Sequence, residues 1–343
     1  MANLRQITAR QQRAMLVEFN NIISSIKDNA VLIQVENAIA AGDVDLVIKL
    51  LGLDEATWQP LVEQIRQSYI VGGTTGAGQI GSIPIVGGQI TMRFNGSNPR
   101  AENWIKTESS ALIVEINNSQ KELVRETVLN GMIAGDNPKT TARDLIGTVN
   151  KETGKRVGGV VGLTSQQASW LKNAKEELKT LDANYFNREL RDKRLDGPIK
   201  KAMRDGKKLD ANLINKAIKL MGDKTLIYRS ENIARTESIS ALRAGQYEAI
   251  AQGVEAGNIE ASDVVKKWDA TGGHRTRHWH NQAERDYSEG IPLDQYFIVA
   301  NEQMLYPSDT SGGATGKNII NCRCRLIAEI DFGKKLARLE GFA

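Results

Sequence analysis

Apolar residues fall at helical spacing over most of the first two thirds of the chain. Leu16, Phe19, Ile22, Ile23 and Ile26 recur three and four apart, and the stretch from Leu32 to Ala41 repeats the pattern, which predicts two amphipathic helices that need a partner surface. Gly42 and Asp43 break the run, and Asp43 can cap a short helix ending near Leu51. Another helix begins at Asp54, with Trp58, Leu61, Val62 and Ile65 on one face. Eight glycines and one proline between Gly72 and Gly96 predict a loop with room for one hairpin. Helical spacing returns from Asn98 to Ile133 through Trp104, Leu112, Ile113, Ile116, Leu123 and Val128. Asn137-Pro138 starts a short helix through Ile146, and Thr164-Ser-Gln-Gln167 is a capping box ahead of a helix to about Leu178. Asp210 caps a helix that Gly222 ends, and a longer one is expected from Thr225 to Gln252.

After Gly257 the pattern shortens. Trp268 to Ala270, Ile291 to Leu293, Tyr296 to Val299 and Cys322 to Ile330 read as short strands joined by glycine-rich or charged loops. The fold class expected is α+β, a mostly α-helical body with a small C-terminal α+β module. Its segments are an N-terminal helical region over 1–70, a Gly-rich loop over 71–97, a helical middle region over 98–224 and the module over 225–343.

Composition narrows the choice. Hydrophobic residues are 41 % and charged residues 25 %, the balance of a soluble globular protein, while aromatics are only 5 %, so the cores rest on aliphatic side chains. No run of eighteen apolar residues is present, and the N-terminus lacks the apolar core of a secretion signal, so the product is expected to stay in the cytosol where it is made. Gly76-Ala-Gly78-Gln-Ile-Gly81 has the spacing of a dinucleotide-binding turn. That turn must leave a strand and open a helix, whereas here a helix precedes and Pro84 follows, so no nucleotide site is expected.

Net charge is +4, but the stretch from Arg188 to Lys208 holds nine basic residues against four acidic ones. Lys200, Lys201, Arg204, Lys207 and Lys208 are therefore candidates for phosphate contacts, and a solvated helix face accounts for the same residues.

The chemistry gathers in the last quarter. Both cysteines, Cys322 and Cys324, sit one residue apart, and all three histidines, His274, His278 and His280, fall within seven residues. In an extended segment the two thiols share a face while Arg323 and Arg325 take the other. Two thiolates with one or two imidazoles make a zinc site of plausible type, with Cys322, Cys324, His280 and His274 as candidate ligands. The same sulfurs can pack as small buried hydrophobes, with the histidines pinning loops by hydrogen bonds. Arg235, Glu237, Arg275, Arg277, Asp309, Arg323 and Arg325 surround this set, and an ion-pair network locking helix, loop and strand together is expected. A hydrolase would use His280 as general base and Asp309 as its orienter. No serine elbow, P-loop or H-E-x-x-H occurs, so no catalytic residue is assigned and the chain is expected not to be an enzyme.

At these residues the chain resembles the phage Mu F-like family of minor head and head-morphogenesis proteins. The resemblance is carried by Ile233-Ala-Arg-Thr-Glu237, by Trp268 with Arg275-Thr-Arg277 and His280, by Tyr306-Pro-Ser-Asp309, and by Asn321-Cys-Arg-Cys324, in that order. Fainter likeness runs through Ala40 to Asp43, Leu51 to Leu53, Phe94 to Trp104, Gly131 to Ala142 and Gly162 to Ser165. His274 departs from the family, which usually places an acidic residue just ahead of Arg-Thr-Arg, and this makes His274 a substitute ligand. The resemblance implies Arg235, Glu237, Arg275, Arg277, Tyr306 and Asp309 as a structural motif. It implies a low-copy minor capsid protein inside the head near the portal, in the host cytoplasm during assembly, that assists procapsid assembly and DNA packaging or ejection. Its expected partners are the phage portal protein, scaffold or major capsid protein, and packaged double-stranded DNA, with no membrane and no appended toxin or nuclease domain. The alternative is a metal-dependent nuclease or hydrolase acting on phage or host DNA.

Overall fold

A computed structural model describes residues 4–85, 88–333 and 335. Helix α1 covers Leu4–Asn29, α2 Leu32–Ala40 and α3 Val44–Leu50. Asp43 caps α3 by accepting from the Leu46 amide at 2.9 Å, and Gly42 ahead of it turns the chain at φ +70°, a conformation that suits glycine. A short 3-10 turn leads into α4, Gln59–Ile80, and a hairpin of β1 (Ser82–Ile85) and β2 (Gly88–Thr91) follows. Helix α5 is Pro99–Ala134. Helix α6, Pro138–Ile146, starts on a proline whose missing N–H costs nothing there, and Asn137 caps it by accepting from the Lys139 amide at 2.9 Å.

Strands β3 (Thr148–Val149) and β4 (Arg156–Val157) pair, and α7, Ser165–Thr180, opens on the capping box of Thr164 and Gln167. Helix α8 is Asp196–Arg204 and α9 is Ala211–Glu255. The rest comprises β5 (Val264–Asp269), α10 (His278–Asp286), β6 (Ile291–Pro292), β7 (Phe297–Val299), β8 (Glu302–Met304), α11 (Gly316–Ile319) and β9 (Arg325–Ile330). The protein is thus a mostly helical body with a few small antiparallel sheets.

Two expectations are corrected. Residues 71–80 are not loop but the last turns of α4, so Gly72, Gly73, Gly76 and Gly78 are helical and only the following hairpin matches the reading. The reason is packing. A Cβ on Gly72 would lie 2.0 Å from the carbonyl oxygen of Leu242, and one on Gly245 would lie 2.0 Å from that of Tyr69. Bare backbones let α4 and α9 touch, and that contact overrides the low helix propensity of glycine. Gly222 likewise fails to stop a helix. Helix α9 runs unbroken for 45 residues, since no proline interrupts it and Gly222 faces Leu171 of α7 at a separation that leaves little room for a larger residue.

The chain divides into two compact units. The first takes the residues up to Leu16, Pro60–Ser110 and those from Asn232 on. Its three-stranded antiparallel sheet has the order β6-β5-β9, with Trp268 opposite Leu326 and Asp269 opposite Arg325. Ala77, Ile83, Met92, Ile250, Ile259, Val264 and Leu293 form a core in this unit. The second takes Val17–Gln59 and Ala111–Glu231, and a core of Leu163, Leu171, Leu178, Tyr185, Ile199, Ile214 and Met221 joins α7, α8 and the start of α9. Both units cut across the four expected segments because α1, α5 and α9 each contribute residues to both. No helix is long and apolar enough to cross a membrane among the described residues.

Candidate metal centre

The Cys322–Cys324 stretch is the extended run just before β9, so Cys322 and Cys324 turn inward, 2 % and 1 % exposed, while Arg323 is exposed. Alternation delivers both sulfurs to one face, as the spacing predicts. The turn that aims this run is Asn321, at φ +58°, a left-handed conformation asparagine tolerates better than most residues. Helix α9 clamps it. Arg235 donates to its Oδ1 at 2.8 Å, its Nδ2 donates to Asn232 at 3.0 Å, and its backbone amide donates to the Thr236 hydroxyl at 3.1 Å.

His280 comes from the first turn of α10 and is buried at 1 % exposure. Its Nδ1 lies 3.2 Å from the sulfur of Cys324 and 3.7 Å from that of Cys322, and the three donor atoms all lie within 4.8 Å of one another. Its Nε2 lies 3.0 Å from Oδ1 of Asn318. Asn318 has no choice of orientation, because its Nδ2 donates to the Val299 carbonyl at 3.1 Å and to Glu302 at 2.6 Å. Its Oδ1 must therefore accept, from Trp279 at 2.7 Å and from His280. Nε2 thus carries a proton, and Nδ1 is the nitrogen that faces the two sulfurs. Such a hydrogen bond is how metal-bound histidines are usually oriented. Glu302 behind Asn318 is held below the ordinary carboxylate range, chiefly by the Thr315 hydroxyl.

The surroundings favour thiolate at Cys322. Cys322 is held well below the usual thiol value, first by a hydrogen bond from Cys324 and then, against burial, by His280 and Arg243. Cys324 is pushed up, first by its hydrogen bond to Cys322, then by burial and by the negative charge of Cys322 beside it. Trp268 packs edge-on against His280 with ring centroids 5.3 Å apart. Its indole N–H is buried without a hydrogen-bond partner. Arg243 is buried, and burial lowers its pKa while the two cysteines oppose the shift.

His280, Cys322 and Cys324 could thus hold a metal ion. His274 is not one of the group. It lies exposed in the turn before α10, where the Gly272-Gly273 stretch carries it outward. Charged residues around the centre tie its elements together. Arg235 holds Asn321, Arg277 donates to the Ile320 carbonyl at 2.7 Å, and Arg325 pairs with Asp269 at 2.5 Å. Asp309 is buried and accepts from the Leu305 amide at 2.7 Å and from the Ser311 amide and hydroxyl, so its carboxylate shapes the Tyr306-Pro-Ser-Asp turn. Tyr306 is buried beneath that turn, Glu237 is half-buried on α9, and Arg275 and His278 are exposed.

Compared with models of protein families, with curated proteins and with solved structures, the chain finds no match.

Three residues escaped the sequence reading. Asn318 has no local signal, because its partners lie 16 to 39 residues away. Arg243 stands two helical turns beyond Arg235 with Ile239 between them, so helical periodicity could have found it. Lys266 shares the inward face of β5 with Val264 and Trp268, which strict alternation could have shown. Its ammonium donates to the Leu305 carbonyl at 2.7 Å and lies over the rings of Tyr247 and Phe297, while burial lowers its pKa to about 7. Lys200, Lys201, Arg204, Lys207 and Lys208 are all exposed, on and just after α8 in the second unit.

Proposed function

We propose that the chain is a minor head protein of a tailed phage, bound at the portal vertex in few copies and serving procapsid assembly and DNA packaging or ejection. One observation supports this best. Three of the four motifs that carry the family resemblance hold one another directly, since Arg235 grips Asn321, Trp268 packs on His280 and His280 meets Cys324, and Ser240, further along the helix of Arg235, donates to the carbonyl of Ser308 in the Tyr306–Asp309 turn. Motifs that close on one another in this way serve to hold a shape. The burial of all three candidate ligands, and the commitment of Asp309 to its own turn, favour a fold-holding centre over hydrolysis. Zinc is the ion proposed for it, since borderline-soft Zn²⁺ suits a sulfur and imidazole donor set. The exposed lysines after Ile199 are proposed to meet DNA phosphates.

Co-expression with the portal protein of the same phage, followed by affinity purification and mass determination, tests the reading. A complex of defined stoichiometry is expected. It should weaken when Val17, Val31 and Ile33, apolar and about half-exposed in the N-terminal helical region, are changed to aspartate. A folded chain that never associates with the portal would overturn the docking reading and bring nuclease assays with added metals forward.

A further inference from the structure

Arg243 of α9 and Arg325 of β9 face one small cavity. The space measures about 30 Å³, and Thr75 of α4, Gln246 of α9 and Leu4 and Thr8 of α1 line it with them. All six residues lie in the first unit. His280, Cys322 and Cys324 are not among its walls, so the cavity stands apart from the candidate metal centre. Cations outnumber anions there. Arg325 pairs with Asp269 at 2.5 Å, yet its Nε is buried without a hydrogen-bond partner. Arg243 is 5 % exposed, and no carboxylate lies within ion-pair distance of it among the described residues.

Arg243 is also fixed in place. Its Nη1 donates to the Ser308 hydroxyl at 3.2 Å, which occupies one of the five N–H groups a guanidinium offers. Ser308 is held in turn at φ +72°, with its carbonyl accepting from Ser240. The Thr75 hydroxyl makes no hydrogen bond among the described residues. Buried N–H groups without acceptors and a buried charge without a counter-charge are both costly, and one small anion in the cavity answers both. The donors and the room decide its kind. Guanidinium forks match the paired oxygens of an oxyanion. The space takes about two water-sized spheres, enough for the leading oxygens of one free oxyanion but too little for a phosphodiester between two sugars.

We propose that this cavity binds a small free oxyanion of the phosphate or sulfate class, held between the forks of Arg243 and Arg325, with the Thr75 hydroxyl as a further donor. The anion supplies the charge that Asp269 leaves unmet, since one carboxylate serves two guanidiniums. No metal takes part and no covalent bond changes.

The test titrates the full chain with sodium phosphate, and separately with sulfate, against sodium chloride at matched ionic strength. Binding is followed by calorimetry and by the unfolding midpoint, which a ligand of the folded state alone raises. Saturable binding at a single site is expected for both oxyanions and not for chloride. Arg243→Gln should weaken it about tenfold, the loss of one charge-assisted contact. Thr75→Leu puts apolar atoms into the space and spares both arginines, so it should abolish binding, and it decides the matter should Arg243→Gln not fold. A short single-stranded oligonucleotide should not displace the phosphate, and displacement would overturn the inference in favour of a nucleic-acid surface. It is equally overturned if neither oxyanion binds, if both substitutions leave binding unchanged, or if binding is lost instead on replacing Lys200, Lys201 and Arg204 by glutamine.

Discussion

Asn318 fixes which nitrogen of His280 faces the sulfurs, and the proposed zinc site depends on that one side chain. With Asn318→Leu, Nε2 loses its acceptor and the imidazole can turn or change tautomer. Zinc affinity should then fall ten- to a hundred-fold, the usual cost of losing such a partner, as read by competition with a chromophoric chelator. An unchanged affinity would mean that the ring is held by Trp268 packing alone. Lys266 makes a second prediction at this scale. Its folded pKa of about 7 lies below its unfolded value of 10.5. Between those values the unfolded chain binds more protons, so stability rises with pH across that window, by at most about 1.4 kcal/mol per unit, and is flat in this respect below about pH 7. Lys266→Met should abolish that slope in urea titrations from pH 7 to 9, and it should raise stability most at the acid end, where the buried ammonium is charged. A slope that survives the substitution would assign it to another group.

Helices α4 and α9 show how contact between elements overrides local preference. The sequence reading places a loop where four glycines cluster and a helix end at Gly222, because glycine is a poor helix former. Both glycine signals have tertiary causes, which no single-sequence window contains. Gly245→Ala would press a methyl group against the Tyr69 carbonyl, 2.0 Å away, and should destabilise the first unit by about 1–3 kcal/mol or more in urea unfolding. Gly78→Ala, in helix α4 with nothing within 4 Å, should be neutral or stabilise by roughly 0.5–1 kcal/mol. Equal effects at the two sites would refute the close-packing account. Where the signal is local the reading succeeds: Asp43, Asn137 and Thr164 cap the helices assigned to them, since a cap needs only its next three residues. The centre is legible to the same degree. Cys322 and Cys324 face one way by strand alternation, but His280 is chosen over His274 by where α10 begins, and Asn318 and Arg243 arrive by long-range folding.

At the scale of the whole molecule the question is electrostatic. A net charge of +4 is too small to bind a polyanion unless it is concentrated. Within the basic stretch of the second unit, Arg188 is paired with Glu177, Arg191 with Asp196 and Arg194 with Asp192, so these three are largely neutralised. Lys200, Lys201, Lys207 and Lys208 have no acidic partner within ion-pair distance among the described residues, and Arg204 meets only its neighbour Asp205, at 3.6 Å. If all five reach phosphates, the logarithm of DNA affinity should fall against the logarithm of salt with a slope of about −4.5, which is several hundred-fold between 50 and 200 mM. Replacing Lys200, Lys201 and Arg204 by glutamine would leave about two contacts and a slope near −1.8. Fluorescence anisotropy with two duplexes of unrelated sequence measures both quantities. Because phosphates carry no sequence information, the two duplexes should bind alike. A slope unmoved by the triple substitution would show that this face is merely solvated, whereas a parallel loss of slope and affinity on both duplexes would place the DNA contact on α8 and the loop that follows it.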